Sequence, residues 1–155
     1  MLQHQISIAP AFFLDSQYPA GDGSRDPDRK PLRSSGARVR VLVVDDEPVI
    51  ADTVAEILNS NGFDAKGVYG GQDALEIAER FIPDILLTDV LMPKISGIDL
   101  AIALRKLHPN TRVLLFSGQA ATSGVLDGAR NNGYEFEVLP KPIPPDQLIH
   151  KLRKG

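Results

Sequence analysis

The sequence predicts an α/β protein in which five strands alternate with five helices, (βα)5, around a doubly wound parallel sheet. Three observations carry this. Short, largely apolar runs such as Val39–Val44, Ile85–Thr88 and Arg112–Phe116 read as strands, the first and second buried. Between them, apolar residues recur at helical spacing. Gly or Pro marks most of the junctions.

Each element follows in turn. Val39–Val44 is a buried strand. Pro48 suits a first helical turn, Ile50, Val54, Ile57 and Leu58 form one stripe, and Gly62 stops that helix. Ala65–Tyr69 is a weaker strand. Gln72–Phe81 is helical, with Leu75, Ala78 and Phe81 on one face, and Pro83 breaks it. Ile85–Thr88 is a short strand, Ile98–His108 a helix followed by Pro109, and Arg112–Phe116 the fourth strand. Gly124–Asn132 is a helix ended by Gly133, Phe136–Leu139 the fifth strand, and Pro145–Arg153 the last helix, with Leu148, Ile149 and Leu152 inward.

Composition bounds the function. The chain has 155 residues, enough for one domain and an extension, and is 43% hydrophobic, enough for a core. Cysteine is absent, which removes disulfide scaffolds and thiolate zinc sites and fits a cytoplasmic setting. A net charge of −3 implies no nucleic-acid surface, so direct nucleic-acid binding is not expected. No apolar run approaches the roughly 20 residues of a spanning helix, so no membrane partner is expected. Residues 1–38, with the run RDPDRKPLRSSGAR, have little apolar surface to offset the entropy of ordering and read as a flexible arm. Residues 39–155 are the domain. Ile6–Leu14 lacks a basic flank and is interrupted by Pro10, so it is not read as a signal peptide.

In such sheets, ligands bind beyond the carboxyl ends of the strands. The first strand ends in Asp45–Asp46, the third in Thr88–Asp89, the fourth in Ser117–Gly118, and the fifth runs into Pro140–Lys141–Pro142. Taken singly, each residue has a plain explanation: helix cap, turn serine, solvated lysine. Glu47 reads as a solvated first-turn charge. Together they place three carboxylates, a hydroxyl and an ammonium at one edge. Clustered carboxylates are costly unless a cation joins them, and Mg²⁺ takes carboxylate oxygens together with phosphate oxygens. Asp89, the most central acid, can then serve as a nucleophile toward phosphorus, with Lys141 and Ser117 facing phosphoryl oxygens. Other phosphate folds fit poorly. DDEP follows the first strand where a glycine-rich phosphate loop would need G-x-x-x-x-G-K-[ST] or G-x-G-x-x-G. Haloacid-dehalogenase-type phosphatases place a second Asp two residues after the first, where this chain has Leu91.

The segments VLVVDDEP, DILLTDVLMPKISGIDL, VLLFSG and LPKP resemble the receiver domain of two-component response regulators, over about residues 38–154. The resemblance implies a CheY-like, flavodoxin-like fold with strand order 2-1-3-4-5. It implies that Asp89 is the phosphoacceptor, that Asp46 and Asp89 ligate Mg²⁺ directly, and that Asp45 does so through water. The backbone carbonyl of Leu91 would complete the protein ligands. Ser117 would be the switch hydroxyl, Lys141 would contact the phosphoryl group, and the Lys141–Pro142 bond would be cis. Implied partners are a sensor histidine kinase or histidine phosphotransfer protein and a downstream protein target, with a homodimer possible. The domain would be a signalling module and not a metabolic enzyme, catalysing only its own phosphorylation and dephosphorylation. The chain ends with the fifth helix, so a stand-alone regulator or phosphorelay member is expected, a fragment of a longer regulator being the alternative.

One position departs from the family. Receivers usually carry an aromatic three residues before the lysine; this chain has Val138, with Phe136 as the nearby aromatic that could substitute. Coupling between Ser117 and residue 138 is therefore expected to differ. The competing reading is a pseudo-receiver that binds a partner without phosphorylation; an unrelated hydrolase is disfavoured by the lack of a water-activating base. None of His4, His108 and His150 reads as a phosphorylation site, and His108 is expected to be a charge at a helix C-terminus.

Overall fold

The computed structural model describes residues 36–118 and 123–155. Most of the proposed arm, residues 1–35, lies outside the described residues, as does His4. Ten elements alternate: β1 (Arg40–Val44), α1 (Pro48–Ser60), β2 (Asp64–Val68), α2 (Gly71–Ala78), β3 (Ile85–Asp89), α3 (Gly97–Leu107), β4 (Arg112–Ser117), α4 (Ser123–Asn131), β5 (Glu137–Pro140) and α5 (Pro145–Arg153). All strand pairs are parallel, in the order β2-β1-β3-β4-β5. The expected fold class and strand order are therefore observed.

Alternation along the strands divides the core in two. Leu42, Val44, Leu86, Val113 and Leu115 face one cluster with Ala74 and Ala78 of α2, Leu100 and Leu104 of α3, and Ala129 of α4. Val41, Val43, Ile85, Leu87, Leu114 and Phe116 face the other, with Ala55 and Leu58 of α1 and Leu148 and Leu152 of α5. Strands buried on both faces must be apolar throughout, which is why their sequences read as continuous runs.

Most limits fall within a residue of the sequence reading, β5 among them, which starts at Glu137 and leaves Phe136 outside the strand; β2 and α2 differ with a physical reason. β2 begins at Asp64 and ends at Val68, one residue earlier than expected, leaving Tyr69 in the following turn. It is a peripheral strand, DAKGV, with too few apolar residues for its limits to be read from pattern. α2 ends at Ala78, not Phe81. The chain tightens there: the Arg80 and Phe81 N–H groups both donate to the Ile77 carbonyl, at 3.0 and 2.8 Å, and this still buries Phe81. Gly62 and Gly133, which end α1 and α4, have φ of +90° and +86°, conformations that favour glycine.

Side-chain bonds that no periodicity announces join the elements. Asn59 of α1 donates from Nδ2 to the Ala65 carbonyl (3.0 Å) and accepts at Oδ1 from the Ala65 N–H (2.7 Å). His108, instead of standing free as a helix-end charge, places Nε2 3.0 Å from the Ala78 carbonyl at the end of α2. A carbonyl only accepts, so this nitrogen carries the proton. Arg112 donates to the Lys151 and Leu152 carbonyls at the C-terminus of α5 and pairs with Glu137 at 2.9 Å. Lys151 completes that group, 3.2 Å from Glu137.

The junction of β3 and α3 sets the position of Asp89. The Gly97 N–H donates to the Val90 carbonyl (2.9 Å), and the Ser96 hydroxyl caps α3 by accepting from the Asp99 N–H (3.1 Å). A Cβ on Gly97 would overlap the Asp89 carbonyl oxygen. Only a residue without a side chain lets α3 start this close to the strand.

Two outcomes are expected. Gly97→Ala should cost about 3 kcal/mol of stability, the upper part of the overpacking range, measured by urea unfolding. Partial burial would push the Glu137 carboxyl up, but the Arg112 and Lys151 hydrogen bonds and charges outweigh it and hold the carboxyl below its ordinary range. A lowered folded-state pKa means that the pair stabilises above the unfolded value and that this is lost as pH falls through the folded one. Glu137→Gln should therefore cost about 0.5 kcal/mol at neutral pH, as for a partly exposed pair. The difference from wild type should vanish in acid-range melts.

Candidate phosphoryl-accepting site

The carboxyl ends of β1, β3, β4 and β5 share one edge of the sheet, and their local sequences aim specific groups into it. Asp45 follows β1 directly. Its N–H donates to the Val68 carbonyl (3.0 Å), which prolongs the ladder by one residue and keeps Asp45 2% exposed. Oδ1 accepts from the Glu47 N–H at 2.9 Å, an Asx-type turn that launches α1. Oδ2 accepts from the Lys141 ammonium, also at 2.9 Å. Asp46 is exposed, and Glu47 is exposed at the N-cap of α1 with no side-chain cap bond, one step before the first turn.

Asp89 is the last residue of β3, half-buried, 3.3 Å from the Lys141 ammonium. The Leu91 N–H also donates to its carboxylate. Leu91 itself is 53% exposed. Carboxylate oxygens of Asp45, Asp46 and Asp89 lie within 4.8 Å of one another. Lys141 reaches this cluster from just beyond β5, anchored by its own N–H to the Ser117 carbonyl (3.0 Å), with its ammonium 5.7 Å from the Phe116 ring centroid. The Lys141–Pro142 peptide is cis.

The charges respond to this crowding. Burial raises the Asp89 carboxyl above its ordinary range. Lys141 works against that shift, and the negative charge of Asp45 adds to it. Burial alone would push Lys141 down, but the hydrogen bond to Asp45 and the two carboxylate charges reverse it and hold the ammonium above its usual value. The shifts agree once the geometry is considered. Lys141 divides itself between two acids and sits closer to Asp45, so Asp89 is left only partly compensated. A site with three carboxylate oxygens so close, one lysine and no other cation among the described residues suits a hard divalent ion with oxygen ligands, such as Mg²⁺.

Ser117 ends β4, half-buried and in register with Pro140. It shares the alternation of Val113 and Leu115, which face the α2–α3–α4 side, whereas Asp89 shares that of Ile85 and Leu87, which face α1 and α5. The two residues thus belong to opposite alternations of the sheet. Val138 is half-buried, in register with Leu115 and packed on the first cluster. Phe136 does not reach the edge. It precedes β5, stacked 6.1 Å from Tyr134 with the Arg105 guanidinium 4.8 Å above its ring, committed to α3. Sequence reasoning did not single out Phe116, whose ring lies beneath Lys141. Its apolar character marked it only as strand.

Comparison with known proteins agrees with this geometry. The family model described as response regulator receiver domain matches residues 41–153. The probable transcriptional regulatory protein TcrX of Mycobacterium tuberculosis is 34% identical over 121 residues, 78% of this chain and 51% of that protein. The chemotaxis protein CheY of Thermotoga maritima is 28% identical over 116 residues, 74% of this chain and 95% of that one. Among solved structures, the chemotaxis protein CheY4 of Vibrio cholerae superposes with a TM-score of 0.68 at 26% identity, covering 76% of this chain and 98% of the other. The chain spans about half the length of several curated relatives, TcrX among them. With the family model matching most of the chain and the strand order as expected, the chain belongs to the receiver domains of two-component response regulators.

Proposed function

We propose that this receiver is switched by Mg²⁺-dependent phosphorylation of Asp89. The observation that carries the reading is the three-carboxylate cluster with Lys141 inside it. Asp46 and Asp89 would hold the cation directly, Asp45 through water, and Leu91 through its backbone carbonyl. A bound divalent ion supplies neutralising charge to the transferring phosphoryl group.

The chain's own groups do the rest. A carboxylate oxygen of Asp89 attacks the phosphorus of a phosphohistidine. A P–O bond forms, the P–N bond breaks, and the electron pair leaves with the imidazole nitrogen. Lys141 moves its ammonium from the carboxylates toward the phosphoryl oxygens, and Ser117 donates its hydroxyl to one of them. Such contacts shift the conformational balance by as much as they differ between the two states. Val138 leaves no aromatic at its position to turn inward, so repacking of the α4–β5–α5 face would follow Ser117 without that partner.

Partners in this reading are a sensor histidine kinase or histidine phosphotransfer protein and a downstream protein. Output through protein contact or onward phosphotransfer from a stand-alone receiver is supported by the match to 95% of the Thermotoga maritima CheY and by the net charge of −3. Several relatives carry names of transcriptional or DNA-binding regulators, and those activities belong to proteins about twice the matched length. No helix among the described residues is long and apolar enough to cross a membrane.

Intact-mass spectrometry after incubation with acetyl phosphate and Mg²⁺ tests the proposal. Wild type should gain one phosphoryl adduct, and Asp89→Asn and EDTA-treated wild type should gain none. A folded wild type that stays unmodified at every Mg²⁺ concentration would overturn the reading in favour of a non-phosphorylated binding module. Asp45→Asn should weaken Mg²⁺ binding about 10–100-fold by calorimetric titration, as expected when a ligand acting through water is lost.

A further inference from the structure

A second charged feature lies at the opposite edge of the sheet, where the strands begin. Arg40 opens β1, Lys66 lies in the outer strand β2, and Arg80 follows α2. All three are exposed, and with Glu76, Ile77 and Phe81 they line a cleft of about 320 Å³. The Lys66 ammonium is 4.7 Å and the Arg40 guanidinium 5.7 Å from the centroid of the Phe81 ring. Among the described residues, none of the three cations pairs with a carboxylate, whereas Arg112, Arg130, Lys141 and Lys151 all do. The π-face of one phenyl ring offsets only about 0.5–1 kcal/mol per exposed cation. Three like charges therefore converge on one apolar floor, with Glu76 at the rim and the Asp84 carboxylate, which accepts from the Arg40 N–H at 2.8 Å, answering only part of that charge.

We propose that this cleft docks an acidic, partly apolar segment of a partner protein. Carboxylates of the segment would lie between Lys66, Arg40 and Arg80. Its apolar side chains would cover Ile77 and the exposed Val39 and Ile82, which adjoin the cleft in sequence and are 37% and 50% exposed. An inorganic anion could use the charges but not this apolar surface. A nucleic acid would bring phosphates to the three cations but no aliphatic side chains to cover Ile77, Val39 and Ile82. Arg40 and Asp45 are separated by the length of β1, roughly 15 Å at the usual rise per residue, so docking would leave the Asp89 edge open to a second partner.

The test is fluorescence anisotropy with the full chain and a short fluorescein-labelled Glu/Leu peptide at low salt. Saturable binding is expected, weakened about tenfold or more in the Lys66→Glu/Arg80→Glu double variant and weakened progressively by added salt. The milder pair Lys66→Gln/Arg80→Gln should weaken it less, and near-wild-type thermal melts for both would show intact folds. No saturable binding, or equal affinity in folded double variants, would overturn the proposal. So would a duplex DNA oligonucleotide that binds as tightly through the same residues, which would assign the cleft to a polyanion.

Discussion

Everything at the carboxyl edge depends on one ammonium shared by two acids. Lys141 lies 2.9 Å from Asp45 and 3.3 Å from Asp89, and Asp45 is closed off from water. A buried carboxylate stripped of its partner costs about 3–5 kcal/mol, so the lysine is structural before it is functional. Sharing also leaves Asp89 incompletely neutralised. The folded domain thus holds an unmet demand for positive charge at Asp89. That demand is what a divalent ion or an incoming phosphoryl group with its cation would answer.

Placing that demand at a defined point is the work of the sheet. The two-faced apolar strands fix register, and register fixes which side chain arrives at the edge from which face. Asp45, Asp89, Phe116 and Lys141 come from one alternation; Ser117 comes from the other. Gly97 then draws α3 against the Asp89 backbone, and Ser96 caps the helix there, so the end of β3 is held from behind by main-chain contact instead of by a deformable side chain.

Much of this was legible in the sequence, and the reasons are specific. The strands could be read because burial on both faces demands unbroken runs. The edge residues could be read because polar groups have no packing reason to stand at the ends of such runs. The limits of β2 were not legible, since an outer strand of the sequence DAKGV carries no such demand. The end of α2 was not legible either: Glu79 and Arg80 favour helix, and only tertiary packing of Phe81 turns the chain. Asn59, His108 and Arg112 are ordinary polar residues whose partners lie on other elements, a fact that periodicity cannot carry. The departure at Val138 could be read at once, but the engagement of Phe136 by Arg105 and Tyr134 needed coordinates.

Asn59 has a consequence for how copies of this chain coexist. The Ala65 N–H and C=O that it binds face away from β1, on the outer rim of the sheet. Such a pair is a template for any extended segment that drifts past. The asparagine amide acts as a surrogate strand one residue long, and a stray segment would first have to displace two hydrogen bonds, each worth about 1 kcal/mol net. At the far rim, Pro140 of β5 has no N–H to offer. Growth of the sheet from one molecule into the next is thus hindered at one position on each rim.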